Sequence, residues 1–216
     1  MHLTSFNPYY LLAYHGARVF SLTYATVEVV GLENVPGGAC VFAANHMSHI
    51  DPPLVGSCIE REIYFLARKT LGDIPGAGYV LKESKRIIFV DLAKGSDLAA
   101  VKSMRAAIAG GDSVLLFPEG TRSPTGEMMA PKAGAGMLAC SMGACVVPVR
   151  VFGAFDVLPR GHNLPRSGGR ISIVIGKPMA TAEFDPGKAH PERYLEASRR
   201  IMAAIAALKE PPRVIA

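Results

Sequence analysis

VFAANHMSHIDPPLVGSCI, residues 41–59, is where the fold is decided. A short apolar run enters a polar turn, and the turn is followed at once by Pro52 and Pro53. Proline is tolerated in a helix only in the first turn, where its missing N–H has no partner to lose. Residues 51–59 are therefore expected to start a helix, and the apolar residues 39–44 before them to form a short buried strand. A strand that feeds a helix through a polar turn is the repeating unit of an α/β sheet.

The same alternation extends in both directions. Strands are expected at 27–31, 63–68, 87–91, 113–120, 144–151 and 170–176, each short, apolar and rich in β-branched residues. A helix is expected over 10–24, near Pro8. The clearest helix is 96–111, with a serine cap, an early aspartate, apolar positions at Leu98, Val101, Met104, Ala107 and Ile108, and a glycine stop. Further helices are expected over the small-residue run 133–143 and the amphipathic tail 191–209. Continuous apolar strands separated by helices imply an α/β fold: one domain with a mostly parallel or mixed central sheet covered by helices, and an N-terminal apolar helix. The expected organisation is an apolar, interfacial helix over 1–25, a catalytic domain over 26–180 and a C-terminal packing helix of the same domain over 181–216.

Bulk properties narrow the function. A chain of 216 residues can bury one substantial core, and 50% apolar with 19% charged residues excludes disorder as its main state. A net charge of +5 suits anionic partners: phosphorylated metabolites, coenzymes and anionic lipid headgroups. Nucleic acid is not expected, since no recognisable motif or dense basic helix is present. Cys40, Cys58, Cys140 and Cys145 form no Cys-x-x-Cys and no zinc-ligand spacing with histidine, so they read as free thiols in a reducing compartment. The first residues lack the basic and apolar regions of a signal peptide. The stretch 11–30 is apolar but interrupted by His15, Arg18 and Glu28, and its tyrosines give it interfacial character. Packing on its own domain is an equal reading of that helix. Either way the expected state is soluble or peripheral.

Polar clusters fall immediately after strands, where open α/β sheets place their sites. Three chemistries are open to His46, His49 and Asp51. A metal could be held by the histidine pair, but the prolines put the helix start after the motif, HExxH is absent, and no third ligand is near in sequence. Turn chemistry alone would have His46 satisfy the turn and Asp51 cap the helix. Proton transfer is the third. A strand-to-helix bend can bring His46 and Asp51 into contact, and aspartate on one ring nitrogen fixes the tautomer and raises the basicity of the other. That makes a neutral base able to take a proton from an alcohol. No GxSxG elbow exists, so direct attack by a substrate hydroxyl is simpler than an acyl-enzyme, with Ser48 as a fallback nucleophile.

The second cluster, FPEGTRS at 117–123, puts Glu119 and Arg122 at a strand end with Gly120 between them. Arginine can grip a phosphate through paired donors, while the glutamate can orient it or accept from a substrate hydroxyl.

NHMSHID and FPEGTRS, in this order and about seventy residues apart, resemble the 1-acyl-sn-glycerol-3-phosphate acyltransferase (lysophosphatidic acid acyltransferase) family. The likeness covers about residues 26–179, helped by FLARKTLGDIPGAGYVL, PKAGAGMLA and VVPVRV. It implies an O-acyltransferase of phospholipid biosynthesis, moving a fatty acyl group from acyl-CoA or acyl carrier protein to the free hydroxyl of 1-acyl-sn-glycerol 3-phosphate. His46 would be the base and Asp51 its orienting partner. Glu119, Gly120, Thr121 and Arg122 would form the acceptor-binding loop, with Lys69 and Lys132 as further binding residues and Val147 and Pro148 in an apolar fourth motif. No metal or other cofactor is implied. The expected partners are the lysolipid acceptor, the acyl donor and an anionic membrane surface, met from the cytoplasmic face. Met47, Ile50, Leu54 and Phe65 are candidates to line the acyl groove.

Where family members commonly read Phe-Ile-Asp-Arg, this chain reads Phe89, Val90, Asp91 and Leu92. One phosphate donor is then missing. Lys94, Arg86 or the basic stretch 158–170 could replace it, or the acceptor could be another lysolipid such as lyso-ornithine lipid. A thioesterase using the same pair on water, and a non-catalytic lipid-binding protein, are the rival classes.

Overall fold

The computed structural model describes residues 7–90 and 98–212. Seven strands form one sheet: β1 (Ala25–Val30), β2 (Val41–Ala44), β3 (Ile63–Arg68), β4 (Ile87–Val90), β5 (Ser113–Leu116), β6 (Val146–Phe152) and β7 (Gly169–Ile175). Their order is β1-β7-β6-β2-β5-β3-β4. The β6, β2, β5, β3 and β4 strands run parallel, while β7 is antiparallel to β6 and carries β1 parallel to itself. The sheet is thus mixed and mostly parallel.

The central strands are buried on both faces, and their side chains alternate as a pleated strand requires. On β2, Phe42 and Ala44 join one core while Val41 and Ala43 join the other; on β5, Leu115 goes to the first and Val114 and Leu116 to the second. The first core is closed by α2 (Asp51–Cys58), through Leu54 and Val55, and by α6 (Ala154–Val157), with α1 (Pro8–Tyr24) packed outside through Phe20 and Tyr24. On the other face lie α4 (Leu98–Ala109), α5 (Ala133–Met142), α7 (Thr181–Phe184) and α8 (Arg193–Ala207), contributing Met104, Leu138, Phe184 and Ile201 among others. The remaining helix, α3 (Ala77–Glu83), lies beyond β3 and packs on α1.

Several boundaries differ from those expected. The first helix starts at Pro8, because the Asn7 side chain accepts from the Tyr9 and Tyr10 amides at 2.9 and 3.3 Å and so caps it. Its end passes directly into β1, which begins at Ala25. The short helices α3, α6 and α7 carry too few residues for a period to be read from sequence. Ser96 and Asp97, expected to open α4, lie outside the described residues, as do Asp91, Leu92 and Lys94.

One consequence of the parallel core matters for the site. The carboxyl ends of β2, β3, β5 and β6 all lie at one edge of the sheet, so the residues following each strand are brought together there.

Candidate active site

Asn45 opens the turn after β2 and fixes its course. Its side-chain amide donates to the Val151 carbonyl at 2.9 Å and accepts from the Val151 N–H at 2.7 Å, continuing the β2–β6 pairing after the strand has ended. The chain then bends back so that Asp51 reaches the turn it follows. Asp51 is fully buried, and its Oδ2 accepts from the amides of Met47 at 2.6 Å and Ser48 at 2.7 Å and faces His46 Nδ1 at 2.9 Å. A carboxylate oxygen already taking two amide protons is an acceptor, so Nδ1 carries the ring proton and Nε2 is left with its lone pair. Asp51 is the first residue of α2 and its side chain points back into the turn, so it makes no side-chain cap.

Glu119 holds the other end of His46. Its carboxylate is 1% exposed; Oε1 accepts the His46 backbone N–H at 3.0 Å, and Oε2 accepts the Met129 N–H at 3.3 Å. Burial pushes the Glu119 carboxyl up to about 6, with the two amides pulling it down and the Asp51 charge adding to the rise. Phe117 stacks on the His46 ring at 4.1 Å between centroids, and the Ser123 amide donates to the His46 carbonyl at 2.8 Å. His46 is therefore gripped through its ring, its N–H and its carbonyl, with the side chain 17% exposed.

The loop after β5 turns at Gly120, whose φ of +64° is the left-handed region that favours glycine. The Lys132 side chain lies across this point: a Cβ on Gly120 would meet Lys132 Cδ at 3.2 Å. Arg122 is half-buried, and its Nη1 is buried with no hydrogen-bond partner. No Glu119–Arg122 pair forms, because both glutamate oxygens serve backbone amides. Burial, with Arg160 and Arg68 nearby, holds the Arg122 guanidinium below its ordinary value. The same surroundings act on His49, which burial, Arg122 and His46 push down. Thr121 sits half-buried in the same loop. Lys69 opens the 3₁₀ turn Lys69–Asp73 directly after Arg68; it is the charge of Arg68 that is felt at His49 and Arg122.

Two expectations are corrected here. The Ser48 hydroxyl is fully buried and donates to the Leu158 carbonyl at 2.6 Å, so it is committed to structure and unfit as a nucleophile. Arg86 cannot replace the arginine absent at position 92. It precedes β4, at the opposite edge of the sheet, and is held by Glu62 and, at 3.2 Å, by Asp112. Among the described residues no group of three or more His, Cys, Asp or Glu side chains is arranged to hold a metal. Val147 is core and Pro148 lies beside it on β6.

Beside the polar cluster is an open cavity of about 310 Å³ bordered by α1, α2, α3, β3 and β4. Tyr10, Tyr14, Gly56, Phe65 and Ile87 line it, and His49 forms part of its wall. Gly56 leaves room for the Phe65 ring there, since a Cβ would lie 2.7 Å from the ring and force it to shift. Of the four residues expected to line a groove, Phe65 does; Met47, Ile50 and Leu54 are buried elsewhere and line no part of it.

Fold and site together define an α/β protein with an aspartate-oriented histidine and a cationic loop beyond the carboxyl ends of parallel strands. Residues 26–152 match the family model described as Acyltransferase, and the chain belongs to that family. Among curated relatives, it is 26% identical over 187 residues to a chloroplastic 1-acyl-sn-glycerol-3-phosphate acyltransferase of Arabidopsis thaliana, covering 83% of this chain and 52% of the relative. It is 31% identical over 166 residues to the 1-acyl-sn-glycerol-3-phosphate acyltransferase of Pseudomonas aeruginosa, covering 70% and 58%. The crystal structure of the 1-acyl-sn-glycerophosphate acyltransferase PlsC from Thermotoga maritima superposes with a TM-score of 0.72 at 25% identity, over 93% of this chain and 81% of that one. The chain spans about half the length of the first of these curated relatives.

Proposed function

We propose that the protein transfers a fatty acyl group from acyl-CoA or acyl carrier protein to the free hydroxyl of 1-acyl-sn-glycerol 3-phosphate, giving phosphatidate. The observation that carries this reading is the His46 Nδ1–Asp51 Oδ2 contact of 2.9 Å beside an arginine whose buried Nη1 has no partner. His46 Nε2 takes the proton of the acceptor hydroxyl as its oxygen attacks the thioester carbonyl. Asp51 stabilises the imidazolium that results. When the tetrahedral intermediate collapses, the carbon–sulfur bond breaks and the imidazolium returns its proton to the thiolate. Glu119 acts by holding the His46 backbone, and Gly120, Thr121 and Lys132 shape the loop that presents Arg122 to the phosphate. The names of the relatives supply the substrate class.

The apolar cavity is the place for the acyl chain. Tyr10 lines it, its hydroxyl donating to the Arg61 carbonyl at 3.3 Å and accepting from the Ile63 amide at 3.2 Å.

Arg122 tests the acceptor. Arg122→Ala is expected to lower kcat/KM for lysophosphatidic acid by roughly 2–3 kcal/mol of lost charge-assisted bonding, while hydrolysis of the thioester stays almost unchanged. Arg122→Lys restores only part, because lysine brings charge without the planar fork. Equal losses on a phosphate-bearing and a phosphate-free lysolipid would assign Arg122 to loop shape or donor binding. A wild-type protein that prefers the phosphate-free lysolipid would overturn the choice of acceptor.

The proposed location is the cytoplasmic face of a membrane, with peripheral attachment. No helix among the described residues is long and apolar enough to cross a bilayer. The outer side of α1 nevertheless exposes Leu12, Val19 and Leu22 while Tyr10 and Tyr14 face inward. An apolar stripe on a helix of a basic protein suits shallow insertion into an anionic surface. Cosedimentation with vesicles should rise with anionic lipid and fall with salt. The combined change Leu12→Gln, Val19→Gln and Leu22→Gln should abolish it while sparing the inner face. Undiminished binding by that variant would place the anchor elsewhere.

A further inference from the structure

We propose that the loop between α6 and β7, residues 158–168, is a second membrane contact: its tip, Leu164, enters the apolar layer of an anionic bilayer while Arg166 meets the headgroups. The inference rests on the peripheral attachment proposed above for α1 and deepens it by naming the contact that turns the active-site edge toward the lipid.

Leu164 is 81% exposed, more than any other large apolar side chain among the described residues. A single exposed leucine is ordinary on a protein surface. This one stands out for how it is held. The neck of the loop is tied by the Arg166 N–H, which donates to the Val157 carbonyl at 2.7 Å, and by the buried Ser48 hydroxyl, which donates to the Leu158 carbonyl at 2.6 Å. The His162 N–H closes a turn on the Pro159 carbonyl at 3.2 Å. Arg160 Nη1 donates to the main-chain carbonyl of Arg122 at 2.9 Å, so the loop is braced against the one that follows β5. Val157, Leu158 and Pro159 are buried at the base, whereas residues 160–164 and 166–168 are exposed. Phe20 and Tyr24 of α1 pack on the same core as Val157 and Leu158, so the loop and α1 belong to one face of the sheet.

Charge selects the partner. Residues 157–182 hold Arg160, Arg166, Arg170 and Lys177 and not one Asp or Glu. Of these four, only Arg170 has an acidic partner among the described residues. A leucine amid uncompensated cations suits a surface whose anions lie above hydrocarbon. A protein partner would need about 1,000 Å² of complementary surface, and one apolar side chain supplies little of it. A bilayer needs no matching pocket, since hydrocarbon accepts an apolar side chain anywhere. Seated there, the loop brings the carboxyl edge of the sheet, with His46, to the level where the acceptor hydroxyl lies. The lysolipid then reacts without leaving the membrane.

The chain contains no tryptophan, so Leu164→Trp places a single emitter at the tip. With vesicles of phosphatidylglycerol and phosphatidylcholine, its emission is expected to shift to the blue and to be quenched by lipids brominated on the acyl chain. Leu164→Glu is expected to lower vesicle affinity roughly tenfold, with acylation of vesicle-borne lysophosphatidic acid by acyl-CoA falling in step. Its melting temperature, and its turnover of a short-chain lysophosphatidic acid dispersed as monomers, should be unchanged, because so exposed a side chain holds none of the core. Arg166→Gln should weaken binding roughly fivefold at low salt and little at high salt. Cosedimentation with the tryptophan emission unshifted and unquenched overturns the loop contact and leaves attachment through α1 standing. Equal loss by Leu164→Glu on vesicle-borne and dispersed acceptors overturns it too, and assigns the loop to the acceptor site. A loss confined to acyl carrier protein as donor, with vesicle binding intact, would make the loop a protein-docking surface instead. A wild-type protein that ignores vesicles altogether rejects both the α1 attachment and this inference, and leaves acyl transfer to the dispersed acceptor as a separate result.

Discussion

Replacing His46 by alanine is expected to lower the turnover of acyl transfer by about 10²–10⁴ while the protein stays folded. The size follows from losing the group that this reading assigns to take a proton from the acceptor. The survival of the fold follows from what remains. Asp51 Oδ2 keeps the Met47 and Ser48 amides, so the buried carboxylate is not stripped of donors. Glu119 keeps the backbone N–H of residue 46, which alanine also supplies. What is lost is one charge-assisted hydrogen bond and the stacking on Phe117, a change of roughly 1–3 kcal/mol. The measurement is single-turnover acyl transfer alongside thermal melting. Near-normal transfer by a folded variant would reject His46 as the base. His49→Ala should be mild by comparison, since His49 sits in the cavity wall and makes no contact with Asp51 like that of His46. If both histidines proved equally essential and activity followed added zinc, the metal reading would replace this one.

How much of this was legible beforehand depended on the range of the interaction concerned. All seven strands carry their own signal, because a buried strand is a short β-branched run whatever its neighbours do. Their order does not: nothing in residues 169–175 says that they pair antiparallel with β6 and parallel with β1. The His46–Asp51 contact was readable since the two are five residues apart across a bend that the prolines fix. The role of Glu119 was not, because its partners are the backbone amides of His46 and Met129, and every residue other than proline carries one. Met47, Ile50, Leu54 and Phe65 were candidates to line a groove, and the first three are instead buried. Which of them borders a void is a matter of how α1 and α2 meet over β3, and only Phe65 does. For the same reason the basic stretch 158–170 could be named as a source of positive charge, while the placement of Arg160 on the Arg122 loop needed the tertiary structure.

Asp51→Asn should cost about 10²–10³ in turnover, somewhat less than the ~10⁴ known for the equivalent change in a serine protease triad. In that triad much of the loss comes from the wrong tautomer, as the amide can present its NH₂ to the histidine. Here the amide has no such freedom. The oxygen at the Oδ2 position accepts from Met47 and Ser48 amides at 2.6 and 2.7 Å, and an NH₂ placed there would face two donors. The carbonyl oxygen is therefore held inward, Nδ1 keeps its proton and Nε2 keeps its lone pair. What disappears is the negative charge that stabilises the imidazolium, so the penalty falls on the transition state and leaves the donor Michaelis constant alone. The displaced NH₂ takes the place of Oδ1, a buried atom with no partner, and an unpaired donor there should reduce stability by about 1–3 kcal/mol. Turnover, donor KM and melting temperature of the variant check each part separately. A rise confined to the donor KM would move Asp51 from orienting the base to binding the donor. A loss as large as 10⁴ would show that the amide had flipped despite the two N–H groups, and that the backbone of the turn does not hold the tautomer.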